Sequence, residues 1–457
     1  MQPDTLQTLE PLAPLLLSPI EGAFWQIEQN LAGAYRMVVL FRLDGCLRAG
    51  FLTEALRRLQ CRHPKLRSIV VQEIDGLRYQ FEPQPPPIPF EIRDYSEGEL
   101  PWRGETRRML EGGFVAGSLA ALTVLRCPSR GCCDLLLMVH HAIADGLSAI
   151  MLVHDLLTEY ARIESGADLP PRPGLSPITA AHAQSAAGWW DKFWLLRRFM
   201  RLQRQDRRRR QTALPHTRDI TPQSQWVHWV FSRDATLRVI RRFRKEQTSL
   251  GGALVAAVCS GLMDCLAVPE GLFKCQFPLS VREALNGPAG PVTAQDLGCF
   301  VSIMNEFYEV PRKPEFWKLA RHAHQALQNF VQHGGPSFGY NMAAVATTRL
   351  FRRAVPRLLV SDERVTLLAN NYGVLNVADS YGSLRPRECT FIFKNYEHGP
   401  SLVAQGLVMG QRLNVGFVAD GLDPAFWDRL HVAVHGHLQA ASLDDESPQR
   451  MSVAPQE

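Results

Sequence analysis

An apolar run that ends in two histidines constrains this chain more than any other feature. Residues 135–146 read Leu-Leu-Leu-Met-Val-His-His-Ala-Ile-Ala-Asp-Gly. The run is too short for a helix of its own. Residues 147–160 then carry apolar side chains at three- and four-residue spacing. The first stretch predicts a buried strand and the second an amphipathic helix, with His140 and His141 where the strand meets a tight turn. A rigid element that holds an imidazole at its tip is a good mount for a reactive group. Neighbours on a strand point to opposite sides, so one histidine faces a cleft and the other the interior. A neutral imidazole can take a proton from an alcohol or amine as that group attacks a carbonyl. Asp145 either acts directly or serves as a structural anion, and Gly146 permits a sharp backbone turn. A His-His pair at a strand end is often plain structure. All four positions at this spacing, however, arise by chance in roughly one or two chains per thousand, so chemistry is the favoured reading.

The stretch His140-His141-Ala142-Ile143-Ala144-Asp145-Gly146 resembles the HHxxxDG motif of the condensation-domain and acyltransferase superfamily. Its members resemble chloramphenicol acetyltransferase in fold. They include nonribosomal-peptide condensation domains, alcohol O-acetyltransferases, polyketide-associated acyltransferases and wax ester synthases. The resemblance implies that His141 is the general base, with His140 beside it, and that Asp145 is structural and paired with an arginine. Residues 62–67, Arg-His-Pro-Lys-Leu-Arg, resemble the superfamily's RHPxLR segment, a helix exit into a core strand without chemistry. Residues 275–282 resemble its VPVxxR segment and end in Arg282, the expected partner of Asp145. A guanidinium can hold a carboxylate through two bonds and fix the histidine loop. The alternative is an exposed arginine with no partner.

Residues 297–302 resemble the short LGN-F strand of relatives, with Cys299 where asparagine is common. Asn371 and Gly373 resemble the SNxG strand end of alcohol acetyltransferases and polyketide-associated acyltransferases, although Ala369 and Asn370 stand where a serine is usual. Asn371 either hydrogen-bonds substrate and steadies the site, or caps a turn, as Asn-x-Gly often does. The implied fold is α/β: two chloramphenicol acetyltransferase-like subdomains, each a mixed β-sheet flanked by helices, with a tunnel between them and His141 at its middle. The expected division is 1–175 for the half with the motif, 176–215 for a basic, aromatic-rich crossover, and 216–457 for the second half with a short disordered tail.

The 457 residues, 46% hydrophobic, suffice for two ordinary domain cores. Ten cysteines without a CxxC pair read as reduced thiols of a cytoplasmic protein. The first residues lack the basic start of a signal peptide. The nearly uncharged run 250–268 approaches membrane-span length but contains Asp264 and no interfacial anchors, so it predicts a buried helix. Basicity is local: residues 189–210 hold nine basic and two acidic residues, while the whole chain carries only +5. This gives no ground for a nucleic-acid partner. The segment predicts a helix with Trp189, Phe193, Leu196 and Met200 on one stripe and Arg197, Arg201, Arg204 and Arg208 on a neighbouring one. Three readings stay open for it. It is a crossover whose aromatic stripe covers core, a peripheral contact with an anionic membrane, or a docking patch for an acidic carrier protein or phosphorylated cofactor.

The expected function is transfer of an acyl group from a thioester, either acyl-CoA or an acyl chain on a carrier protein's phosphopantetheine, to a hydroxyl acceptor. The thioester is a cosubstrate; no tightly bound cofactor and no metal are expected. Adjacent strand histidines point apart and cannot easily share one ion. Ester formation is favoured over amide formation through the resemblance at Asn371 and Gly373 and an architecture that reads as stand-alone. A free-standing amide-forming condensation enzyme, and a non-catalytic scaffold of the same fold, are the alternatives.

Overall fold

A computed structural model describes residues 11–30, 36–97, 101–115, 117–167, 169–179, 188–208, 210–217, 224–287, 290–346, 365–394 and 400–443. Residues 1–10 and the expected tail from residue 444 lie outside the described residues, as do the side chains of 206–209 in the basic run.

Two mixed sheets carry the fold. The runs Val38-Val39-Leu40-Phe41 and Leu135-Leu136-Leu137-Met138-Val139 are apolar without alternation, and both are fully buried. Such strands belong in the middle of a sheet covered on both faces. The first sheet runs Arg385–Phe393, Met37–Asp44, Cys132–Val139, Ala120–Cys127, Phe90–Asp94, with only the last pair parallel. The helices Ala49–Arg62, Trp102–Gly112 and Gly146–Glu164 accompany it. The motif strand is therefore the central one, and the motif turn leaves it at Val139. The small hairpin Ser68–Glu73 and Gly76–Phe81 follows the 62–67 segment, as a helix exit into a strand requires.

The second sheet is ordered Val301–Pro311, Glu270–Ser280, Leu367–Val374, Leu402–Met409, Arg412–Asp420, Ser224–Val230. Leu367–Val374 runs parallel to both neighbours. The nearly uncharged run forms the helix Leu250–Cys265, capped by Ser249 and buried between Phe316–Gln332 and Pro424–Ala441. It is a core helix, and no single described helix is long and apolar enough to cross a membrane.

A parallel pair needs a long connection. Here the link from Leu367–Val374 to Leu402–Met409 contains Arg385–Phe393, which pairs along its length with Met37–Asp44 of the first sheet. A strand from the second half of the chain thus completes the sheet of the first.

Two expectations need correction. The stripe Trp189, Phe193, Leu196 and Met200 does not cover core: these side chains are 64%, 49%, 46% and 44% exposed. The helix Trp189–Arg208 buries Leu195, Arg198 and Leu202 instead. Arg198 turns it, donating to the Asn305 carbonyl at 2.5 Å and the Glu306 carboxylate at 2.9 Å, with its guanidinium over the Phe330 ring. The second correction concerns residues 297–302. The strand begins only at Val301, and the residues before it form a loop whose backbone serves the motif turn.

Candidate active site

The turn after the motif strand is held by its own backbone and by a neighbour. Ala142 N–H donates to His140 Nδ1 at 3.0 Å, Ile143 N–H to the His140 carbonyl at 3.0 Å, and Tyr79 Oη to the Ala142 carbonyl at 2.8 Å. The two histidines separate as alternation requires. Helix Pro19–Asn30 supplies a ring to each: Phe24 stacks on His141 with centroids 4.1 Å apart, and Trp25 lies 4.9 Å from His140. His141 lines a cavity of about 180 Å³ between the two sheets, while His140 lines another of about 460 Å³. His140 Nε2 is 3.8 Å from the Glu28 carboxylate, which Arg36 also holds at 2.7 Å. His140 and Arg36 together keep Glu28 down at about 2, against the opposing pull of burial.

Burial pushes the His141 imidazole down to about 4, with its own backbone and the Asp145 charge acting in the opposite direction. At neutral pH it is an unprotonated base. Its Nδ1 is 3.7 Å from Cys299 Sγ, so the cysteine that replaces the usual asparagine sits against the ring. Burial pushes the Cys299 thiol well up, and it stays protonated.

Asp145 faces a different task. Its Oδ1 accepts from Ser148 N–H at 2.8 Å and Arg282 Nη2 at 2.9 Å; its Oδ2 accepts from Arg282 Nη1 at 2.8 Å and Phe300 N–H at 3.0 Å. Burial alone would raise this carboxyl, but the Arg282 charge and these hydrogen bonds outweigh it and hold Asp145 below the usual range. All its acceptor directions are engaged, so it caps the motif helix and ties it to the second half. Arg282 is 7% exposed, and its cation lies over the Phe300 ring at 4.8 Å, so the reading of an exposed, unpaired arginine fails. Ser148 completes the knot, accepting from Arg282 Nη2 at 2.7 Å and donating to the Gly298 carbonyl at 2.9 Å.

Gly146 plays a part other than the expected one. It is the first residue of the motif helix and has no positive φ, so no sharp turn requires it. A Cβ there would instead lie 2.5 Å from the Tyr372 ring, and the absence of a side chain lets the second half close on the motif. Asn371 lines the His141 cavity, and its Oδ1 accepts from Gly373 N–H at 3.0 Å. This is the hydrogen bond of a turn cap, with Gly373 at φ +68°, made by a side chain on the cavity wall. The structure thus brings together His141, Asp145, Gly146, Arg282 and Asn371, and sends His140 to the other side; Gly373 shapes the strand end.

Sequence reasoning missed Phe24, Tyr372, Ser148 and the closeness of Cys299 to His141. Tyr372 stands between two residues already singled out, and Ser148 was visible as the third residue after a helix-capping aspartate. Phe24 left no signal beyond its place in an amphipathic helix.

Among solved structures, the trichothecene 15-O-acetyltransferase TRI3 of Fusarium sporotrichioides is similar with a TM-score of 0.70 at 12% identity, covering 94% of this chain and 95% of that one. The first condensation domain of the CDA synthetase gives 0.68 at 16%, covering 95% and 97%. The polyketide synthase associated protein 5 of Mycobacterium tuberculosis gives 0.62 at 17%, covering 95% and 99%. These likenesses establish the fold: a mixed α/β architecture of two similar subdomains. In sequence, nonribosomal peptide synthetase kk1B of Curvularia clavata is 32% identical over 168 residues, 36% of this chain and 1% of that protein. A dimodular nonribosomal peptide synthase of Bacillus subtilis (strain 168) is 30% identical over 191 residues, 40% of this chain and 8% of that protein. The chain spans only a small fraction of the length of these curated relatives. The family model of the Condensation domain matches residues 14–339, well over half the chain, and the protein belongs to the condensation-domain family.

Proposed function

We propose that this protein is an acyltransferase that moves an acyl group from a thioester, acyl-CoA or carrier-protein-bound, to a hydroxyl acceptor by direct attack. One observation carries the reading. Of the motif's titratable groups, His141 alone presents an unprotonated base to the cavity between the sheets, since His140 faces the other cavity and Asp145 is saturated with donors. We assign proton transfer to Nε2, because Nδ1 is turned toward Cys299. Nε2 takes the hydroxyl proton as the oxygen bonds to the thioester carbon. The C–S bond then breaks, and the imidazolium returns the proton to the departing thiolate. Arg282 and Asp145 position the loop and exchange no proton. Phosphopantetheine enters here as part of a cosubstrate, and an acyl carrier protein as the partner that would deliver it. An amine acceptor would follow the same path to an amide; kinship with condensation domains favours this second reading. On this proposal residues 1–175 and 216–457 act as the two walls of a tunnel, joined through 176–215, with Arg385–Phe393 crossing back.

The test is free-thiol release from a panel of acyl-CoAs and acyl-phosphopantetheine donors, with alcohol and amine acceptors, in wild type and His141→Ala. We expect acceptor-dependent release with alcohols that falls by about 10²–10⁴-fold in the folded variant. Release that survives the substitution removes His141 from the mechanism. Release with amines alone selects the condensation reading. None with any donor leaves the fold as a scaffold.

A further inference from the structure

The helix Trp189–Arg208 faces the wrong way for a crossover that merely covers core. Leu195, Arg198 and Leu202 hold it to the second half, which leaves the opposite side outward. On that side Trp189, Phe193, Leu196 and Met200 form an unbroken apolar ridge along three turns, and all four are exposed. Trp190 is 65% exposed beside it. Exposed cations flank the ridge at Lys192, Arg197, Arg201 and Arg204, while Asp191 accepts from Gly188 N–H at 3.0 Å at the start of the helix. Arg201 reaches Glu306 only at 3.6 Å and is 60% exposed. Isolated exposed apolar residues need no explanation, but a contiguous ridge of this kind marks an interaction surface.

Its chemistry chooses the partner. A second copy would set one row of cations against another. An acidic protein would satisfy the arginines but would leave Trp189, Trp190, Phe193, Leu196 and Met200 without an apolar partner. A bilayer of anionic phospholipid meets both demands: phosphates pair with the flanking guanidinium groups, tryptophans settle at headgroup depth, and Phe193, Leu196 and Met200 enter the acyl boundary. We propose that Trp189–Arg208 docks this protein peripherally on anionic membranes. The inference does not depend on the acyl-transfer reading.

The experiment is co-sedimentation of the full chain with vesicles of phosphatidylcholine alone and of phosphatidylcholine mixed with phosphatidylglycerol, with tryptophan emission recorded in parallel. Wild type is expected to bind the mixed vesicles more tightly, to be released by salt, and to shift its emission to shorter wavelength. Replacing Arg197, Arg201 and Arg204 by Gln should weaken binding to mixed vesicles about fivefold for each cation removed. The variant Trp189→Ser/Phe193→Ser/Leu196→Ser should lose binding and most of the emission shift. All these side chains are exposed, so both variants should keep the wild-type unfolding midpoint. Absence of wild-type binding, equal binding to both vesicle types, or wild-type affinity in either variant overturns the proposal.

Discussion

At the residue scale the site rests on one buried ion pair. Asp145 and Arg282 are 6% and 7% exposed; Arg282 spends both its Nη groups on Asp145 and Ser148, and Asp145 accepts besides from the backbone of Ser148 and Phe300. Breaking a buried pair from one side leaves an uncompensated charge, which costs about 3–5 kcal/mol. Arg282→Ala is therefore expected to lower the unfolding free energy by that amount, and Asp145→Ala/Arg282→Ala by less than the sum of the two single losses. Denaturant titration of the three variants measures this; a single-variant loss below about 1 kcal/mol would mean the pair is solvated. The pair was legible in the sequence because two short motifs carry it. Tyr372, which meets the missing side chain of Gly146, was not, because that contact joins segments far apart along the chain with no pattern linking them. Gly146 shows the limit well: its identity was conspicuous and its reason was not.

Elements were easier to find in the sequence than to orient. Periodicity gave the motif helix, and the lack of charge the buried helix Leu250–Cys265. The strand Arg385–Phe393 was not foreseen, because its partner lies in the other half and periodicity carries no address. In Trp189–Arg208 the apolar stripe was real, but periodicity cannot say which side a stripe faces, and Arg198 settled it through Glu306. Neighbouring leucines test that orientation. Leu195 is 2% exposed and Leu196 is 46% exposed, so Leu195→Ala is expected to cost about 2–5 kcal/mol and Leu196→Ala no more than about 0.5 kcal/mol. Equal losses in thermal or denaturant unfolding would mean the helix is turned otherwise.

At the scale of the whole molecule, the strand that crosses between sheets and the ion pair that joins the motif helix to Arg282 bind the two halves into one unit. A charge forced on either half should therefore be felt by both. Histidines supply such charges. Burial lowers His63, His154, His141 and His228, the last two to about 4. The unfolded chain titrates them near 6.5, so below that pH it binds more protons than the folded chain does, and folding stability falls as pH drops from about 6.5 toward 4. The shifts of His141 and His228 are each worth on the order of 3 kcal/mol across that window. Carboxylates such as Glu28, held at about 2 when folded, add their loss only below about pH 4.5. The expected result is a stability that declines already between neutrality and about pH 5, in a single transition rather than two. His228→Gln, at a residue that does not line the His141 cavity, should flatten part of the decline without touching the candidate base. Unfolding midpoints recorded against pH decide the matter. A flat profile down to about pH 5 would show that these imidazoles are not buried neutral, and two separated transitions would show that the crossing strand does not couple the halves.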